Sequence, residues 1–439
     1  MKQYGLQTGK DPRYRMPSSI RYIDLCAGIG GFRLGFIRAC EELGQFCRCV
    51  YTAEINKKPL EVYSANFGET VRPVDVSTLE TRGGVRLPDF DVMLAGFPCQ
   101  GFSTAGLNKG LGDDRSQVFF DLVRILKVKK PPCFIFENVA ALVTHDSGRS
   151  LEVILKHLNA AGYHTSYVIL NAADFAVAQA RKRIYFVGCR KPLRPCDLTQ
   201  LSQPTDSRPV HRTSVRNILQ SVPLTSDLYF DQALNAKLST LGVDRLKSGV
   251  SFSDQHAGNS VHSWDLSLRG EVTEDERIVM NILAEHNQMN SPRGMYVRDF
   301  SRYTNLRAEP LLKRLERKGY VKQRENGSYI KAMGALSFDV CKIAPLDGVA
   351  HTLTATETHK MGVFDPRTSR VRRYTKREVA RMFGFPDDFK LNVSESLAYR
   401  LLGNSVAIPV IAAVSKLALL HCFRSATKLE RGEKKIENR

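Results

Sequence analysis

The stretch Asp24-Leu25-Cys26-Ala27-Gly28-Ile29-Gly30-Gly31-Phe32 follows directly on Ile20-Arg21-Tyr22-Ile23. The apolar residues read as a strand running into a glycine turn, and Phe32 to Leu43 continues with helical spacing. Glycines between a strand and a helix let the backbone approach a ligand closely, and the helix start offers free N–H groups. A dinucleotide fingerprint needs G-x-G-x-x-G. Here the order is Gly28-x-Gly30-Gly31 after the acidic Asp24, which favours a cofactor with a zwitterionic amino-acid end over a pyrophosphate. A plain structural turn is the other reading of the same glycines.

Further strands are expected at Cys49–Ala53, Asp91–Ala95, Cys133–Phe136 and Arg183–Gly188. Helices are expected at Pro59–Phe67, Gln117–Val128 and Leu151–Ala161. This alternation predicts an α/β fold, a mostly parallel Rossmann-like sheet covered on both faces, with ligands at the carboxyl ends of the strands. Glu54 ends the second strand and suits a ribose diol; Asp75, placed after a next short strand, suits an adenine amino group. In this order the acids and glycines sketch an S-adenosylmethionine pocket.

The rhythm breaks after Gly188. Residues 190–210 carry four prolines and read as a boundary, and 210–350 hold no strand–helix alternation. Length, at 439 residues, suits two unequal domains. Within the second, helices are expected at Glu274–Asn287, Met295–Tyr303 and Ala308–Lys318, then a hairpin turning at Asn326-Gly327. That is the order of a winged helix, spanning 274–331. Residues 301–330 hold eight Lys or Arg against three acids; a small helical subdomain with a solvated basic face is the alternative reading. The tail from 396 looks helical and apolar enough to pack on the first sheet.

Lys plus Arg total 64 against 45 Asp plus Glu, a net charge of +19, so an anionic partner is expected. The ten cysteines lack paired CxxC spacing, which argues against a metal site or a disulfide framework. No run of consecutive apolar residues reads as a bilayer span, and the first residues have no signal-peptide core, so a cytoplasmic protein is expected.

Three segments carry chemistry. Gly96-Phe97-Pro98-Cys99-Gln100-Gly101-Phe102-Ser103 holds a thiol directly after a proline at a strand end. Phe136-Glu137-Asn138-Val139 puts a carboxyl at the end of the neighbouring strand. Gln179-Ala180-Arg181-Lys182-Arg183 puts two arginines, facing one way, at the entrance of another.

With these segments the chain resembles the DNA cytosine-5 methyltransferases of the bacterial restriction–modification type. DLCAGIGG, GFPCQGFS, FENV, QARKR, HTLTATET, TKREVARMFGFPDDF and LLGNSV match in the family's order, over about 20–190 and 350–410. The resemblance implies that Cys99 adds to carbon 6 of a flipped cytosine, that Glu137 contacts ring nitrogen 3 and the exocyclic amine, and that Arg183 contacts the base oxygen. It places Arg181 near phosphate. It assigns S-adenosylmethionine to Asp24, Gly28, Gly30, Gly31, Glu54, Asp75, Pro98 and Asn404, and groove contacts to Gln100 and Ser103. The chemistry is coherent: addition at carbon 6 makes carbon 5 nucleophilic, and charge moving onto the ring needs a proton donor and a cation. This sequence departs from the family at Cys26, where Phe is usual, at Gly101, where Pro is common, and at Val118, where Leu is more usual.

Residues 1–190, completed by 396–439, are thus expected to form the catalytic domain. Residues 191–350 are expected to form the target-recognition domain, and 351–395 the connection back. The partners implied are double-stranded DNA and a cognate restriction endonuclease; the enzyme is expected to be a monomer near the nucleoid, with no membrane role. Arg314 and Arg317 are the expected duplex contacts of the winged-helix-like segment. A transfer-RNA methyltransferase, a non-catalytic DNA-binding regulator and a nicotinamide oxidoreductase are weaker readings. The first usually has a small variable region, the second leaves Cys99 idle, and the third lacks its fingerprint.

Overall fold

Strand β1 (Ser19–Leu25) is buried on both faces from Tyr22 on, because sheet lies beside it and helices lie over it. The computed structural model describes residues 16–97, 114–202, 213–254, 260–286, 294–332 and 339–423. The described residues fall into two units. One holds everything up to Thr213 with His351–Thr356 and Lys376 onward; the other holds Ser214–Ala350 with Glu357–Thr375. The stretch 351–395, expected to be a single connection, is therefore shared between both units.

In the first unit β1 is joined by β2 (Phe46–Ala53), β3 (Val92–Gly96), β4 (Cys133–Val139), β5 (Tyr163–Asn171) and β6 (Lys182–Arg190). The spatial order is β2-β1-β3-β4-β6-β5. Strands β2, β1, β3 and β4 pair in parallel, and β6 runs antiparallel to both β4 and β5. Helices α1 (Gly31–Glu42), α2 (Lys57–Phe67), α3 (Asp114–Lys129) and α4 (Arg149–Ala160) fall where the periodicity predicts.

Successive strand residues feed two separate cores, as a two-residue side-chain period requires. Tyr22, Val92, Ile135 and Val187 pack with Phe36 of α1 and with Val410, Ile411 and Val414 of the helix Ile408–Cys422. Ile23, Met93, Phe134 and Phe186 pack with Phe119 and Leu122 of α3 and Ile154 of α4. The stretch Glu395–Cys422 is long and apolar enough to cross a membrane, at mean hydropathy 1.8, but 67% of its apolar window is buried inside the protein. Its apolarity reflects a place in the first core.

Strand β5 was not expected from the sequence. It is an edge strand whose residues, His164-Thr165-Ser166-Tyr167 among them, are mostly only part-buried, with Tyr167 and Ile169 exposed. Its apolar run, Tyr167–Leu170, is short and follows three polar residues. No strand precedes Asp75, either: Glu69–Asp75 has no regular structure and Asp75 caps the short 3-10 turn Val76–Thr78.

The second unit holds a small sheet of Val250–Ser251, Lys342–Ile343, Met361–Asp365 and Arg370–Arg373. A separate core gathers Trp264, Met280, Leu283, Phe300, Leu311, Leu312, Leu315 and Tyr329. Around it run the helix Glu274–His286, the 3-10 turn Val297–Arg302, the helix Ala308–Arg317 and the hairpin Val321–Gln323 with Tyr329–Lys331. The second element is not the α-helix expected at Met295–Tyr303. Met295 exchanges both backbone hydrogen bonds with Tyr329, at 2.9 and 2.7 Å, so only the residues after it are left to coil. At the hairpin tip Asn326 Oδ1 accepts from Ser328 N at 3.1 Å and Gly327 takes φ 81°.

Candidate active site

The parallel strands β1 to β4 all end at one edge of the first sheet, and the reversed β6 begins there. Register places Gly96 beside Glu137 and Val139 beside Arg183. Reversal of one strand is thus what brings the entrance of β6 to the exit of β4.

A cavity of about 490 Å³ opens at this edge. Gly28, Gly31, Glu54, Asp75, Glu137, Arg181, Arg183 and Asn404 all line it, so residues expected from six separate segments meet in one place. Asp24 and Gly30 are not on its wall. Pro98, Cys99, Gln100 and Ser103 lie outside the described residues.

The glycine turn is built for close approach. A Cβ on Gly30, at φ 90°, would sit 2.3 Å from the Phe67 ring, and one on Gly31 would sit 2.5 Å from Ser405 Oγ. Side chains are excluded there because α2 and the Asn404–Val406 segment crowd the turn. Glu54 then closes it: one carboxylate oxygen accepts from Gly28 N at 3.0 Å, the other from Asn56 N and Asn56 Nδ2 at 2.9 Å each. Asp75 is exposed, with Oδ1 accepting from Ser77 N at 2.8 Å.

At the other end of the cavity, Glu137 Oε1 and Arg183 Nε are 3.0 Å apart. The N–H does not point at the oxygen, so Oε1 has no aligned hydrogen bond. Burial pushes the Glu137 carboxyl above its ordinary range, and the Arg183 and Arg181 cations only partly offset this.

Arg181, which the resemblance places near phosphate, is engaged within the protein. It is buried, and its guanidinium donates to Leu353 O at 3.0 Å, Gly403 O at 3.2 Å and Ser405 O at 2.7 Å, with Phe383 beneath it at 5.0 Å. Its donors serve backbone carbonyls, which leaves it a tie between strand entrance and tail. Burial and the neighbouring Arg183 lower it to about 10, so it stays charged at neutral pH. Asp24, which the resemblance assigns to the cofactor, is fully buried and off the cavity wall, both oxygens lack hydrogen-bond partners, and burial raises its pKa to about 7.

Three residues matter to which sequence reasoning gave no role, two quoted within motifs and Asn56 not named at all. Gln179 donates to Met382 O at 3.1 Å and accepts from Leu353 N at 3.0 Å, working beside Arg181. Asn138 Nδ2 donates to Phe97 O at 3.1 Å, fixing the last described residue before the Pro98-Cys99 segment. Asn56 braces Glu54. Gln179 and Asn138 are buried and Asn56 is exposed, but all three are amides within or beside a motif, and that adjacency is the signal available in sequence.

Residues 20–418 match the family model for C-5 cytosine-specific DNA methylases. The chain is 38% identical over 430 residues to the type II methyltransferase M.HgiCI of Herpetosiphon aurantiacus, covering 93% of this chain and 98% of that protein. It is 38% identical over 439 residues to M.NlaIV of Neisseria lactamica, with coverage of 92% and 99%. A prophage-encoded E. coli protein described as a DNA modification methyltransferase shares the fold at TM-score 0.53 and 20% identity, over 92% of this chain and 99% of its own. The S. pombe methyltransferase Dnmt2 does so at 0.50 and 20%, over 91% and 98%. With a motif order, a sheet edge and full-length relatives in agreement, the chain belongs to the C-5 cytosine-specific DNA methylases and is a DNA (cytosine-5-)-methyltransferase of the restriction–modification type.

Proposed function

We propose that the chain methylates carbon 5 of a cytosine within a specific site of double-stranded DNA, using S-adenosylmethionine and a covalent Cys99 adduct. The observation that carries this reading is that one cavity holds both the acid-and-glycine end, Glu54, Asp75 and Gly28, and the Glu137–Arg183 pair. The residues fit the methyl donor. The cavity is within the usual range for a small ligand, roughly 300–1,000 Å³. A Cβ added at Gly28 would meet nothing within 4 Å, so that backbone faces open space. Glu54 and Asp75 would take the ribose hydroxyls and the adenine amine, and Asn404 the amino-acid end. When bound, S-adenosylmethionine supplies an electrophilic methyl group.

The chain's own residues prepare the base. Glu137, whose carboxyl burial raises above its ordinary range, shares a proton with ring nitrogen 3, and Arg183 stabilises charge growing on the base oxygen. The Cys99 thiolate adds to carbon 6, which makes carbon 5 nucleophilic; loss of the carbon-5 proton and of Cys99 later restores the ring. A cytosine inside a duplex cannot reach this cavity, so the base must flip out, at a cost of a few kcal/mol recovered in protein contacts. Arg181 and Gln179 act by holding Leu353 and Gly403–Ser405 in place.

A cytoplasmic, nucleoid-associated monomer acting alongside an endonuclease of the same specificity accords with this chemistry and with the type II relatives. Bisulfite sequencing of DNA from cells expressing the protein tests the reading and reveals the site. Methylated cytosines in one recurrent sequence, absent with Cys99→Ser, are expected. Unmodified DNA from the wild type would refute it.

A further inference from the structure

Some of the basic residues around the Trp264 core are tied to carboxylates and others are not. Arg314 and Lys318 are held by the buried Glu276, at 3.1 and 2.7 Å. Lys313 pairs with Glu309 at 2.7 Å, and Arg277 with Glu274 at 3.3 Å. Arg298, Arg317 and Lys322 are exposed and have no carboxylate partner among the described residues, and the same holds for Arg302 and Arg307. The last two bracket Tyr303, an aromatic side chain 59% exposed, and the exposed Asn305.

These four side chains are presented by a rigid turn. Tyr303 N and Thr304 N both donate to Phe300 O, at 2.9 and 3.1 Å, and Leu306 N donates to Thr304 Oγ1 at 3.2 Å. Phe300 and Ala308 are buried in the core, with Leu306 packed against it. A turn pinned from inside, with two unpaired guanidinium groups, a tyrosine and an asparagine pointing out, has the donors that phosphate, sugar and base edges accept. The order helix, 3-10 turn, helix, hairpin is that of a winged helix, whose relatives present the turn and the start of the following helix to the major groove.

We propose that the turn 302–307 is a duplex-DNA contact, in which Arg302 and Arg307 each take a phosphate while Tyr303 and Asn305 face the groove. This rests on the reading of the chain as a DNA methyltransferase. It moves the contact away from Arg314, which Glu276 already occupies, and onto residues outside the family's shared motifs.

The test is equilibrium binding of full-length protein to a labelled duplex between 50 and 200 mM salt. Each phosphate contact adds about 0.9 to the slope of log K against log salt. The double variant Arg302→Ala/Arg307→Ala is expected to have a slope shallower by about 1.8, with at least about tenfold weaker binding at low salt. Arg302→Lys/Arg307→Lys is expected to keep most of the slope. S-adenosylmethionine binding and the melting temperature should be unchanged in both. An unchanged slope and affinity in the alanine double variant overturns the proposal, as does a wild type that binds no duplex. A loss of binding to an acidic protein with DNA binding intact assigns the turn to a protein partner, and also overturns it. A wild type that binds duplex yet leaves no 5-methylcytosine defeats the catalytic reading alone.

Discussion

Glu137 Oε1 stands 3.0 Å from Arg183 Nε, one group at the exit of β4 and the other at the entrance of β6, in an ion pair that is close but misaligned. A fully aligned bidentate pair would hold the carboxylate ionised. Here burial outweighs the cation, and the carboxyl is left raised. Such a group can share a proton with a base and still be recharged.

Glu137→Gln keeps the shape and the hydrogen bonding but removes the titratable proton. Methyl transfer under single-turnover conditions is expected to fall by about 10²–10⁴-fold. For the wild type, the step should slow as pH rises through the raised value of Glu137, because the protonated form is the one used. A Gln variant within tenfold of wild type, or a rate indifferent to pH, would remove Glu137 from this role.

Arg181→Met tests the tie between strand entrance and tail. Losing the guanidinium leaves the carbonyls of Leu353, Gly403 and Ser405 buried without their donor. Each orphaned carbonyl costs about 1–3 kcal/mol, less what relaxation recovers, so a loss of about 3 kcal/mol or more is expected in urea unfolding. S-adenosylmethionine affinity should drop with it, since Asn404 sits between two of those carbonyls. Lys at this position keeps the charge but cannot reach all three acceptors, so it should restore little. Full stability in the Met variant would return Arg181 to a role at phosphate.

Arg181 and Asp24 also mark the limit of what could be read in the sequence. The strand–glycine–helix order, the carboxyl-end placement of Glu54 and Glu137, and the packing of the tail on the first sheet were legible because each rests on local pattern or on motif order. Destination of a side chain was not. Nothing local distinguishes Arg181 from Arg183, two positions apart and both on the cavity wall, yet one is tied to carbonyls from residues 172 to 224 positions distant and the other stands against Glu137. Asp24 reads as a ligand for the same reason: only the fold shows it buried off the cavity wall. Edge strand β5 was missed although Tyr167–Leu170 is an apolar run, because His164–Ser166 before it are polar and its outer face is solvated.

Asp24 makes a prediction about pH. Its folded pKa of about 7 exceeds the ordinary 3.8, first through burial, with Arg33 opposing and Glu54 adding to it. The stabilising contribution of the protonated form is therefore complete below about 3.8 and is lost as pH rises toward 7. Asp24→Asn cannot ionise. Its stability relative to wild type should improve between pH 5 and pH 8 by about 2–3 kcal/mol and level off above that. Parallel stability curves for the two proteins across this range would show that Asp24 does not titrate there.

Arg314 is the residue most changed by having a structure. Its guanidinium meets Glu276, a carboxylate with no exposed surface that also takes Lys318 Nζ at 2.7 Å and Thr273 N at 2.9 Å. Burial alone would raise Glu276, but Lys318, the Thr273 N–H and Arg314 together hold it below its ordinary value. Its contribution to stability is thus present above pH 4.5 and is lost as pH falls through the lowered value. Arg314→Ala removes one of three partners and should cost about 1–2 kcal/mol at neutral pH, with Lys318 retaining the charge. The salt slope for duplex binding should stay at the wild-type value, in contrast to the Arg302/Arg307 double variant. A slope shallower by about 0.9, with no change in melting temperature, would mean that Arg314 leaves Glu276 for a phosphate.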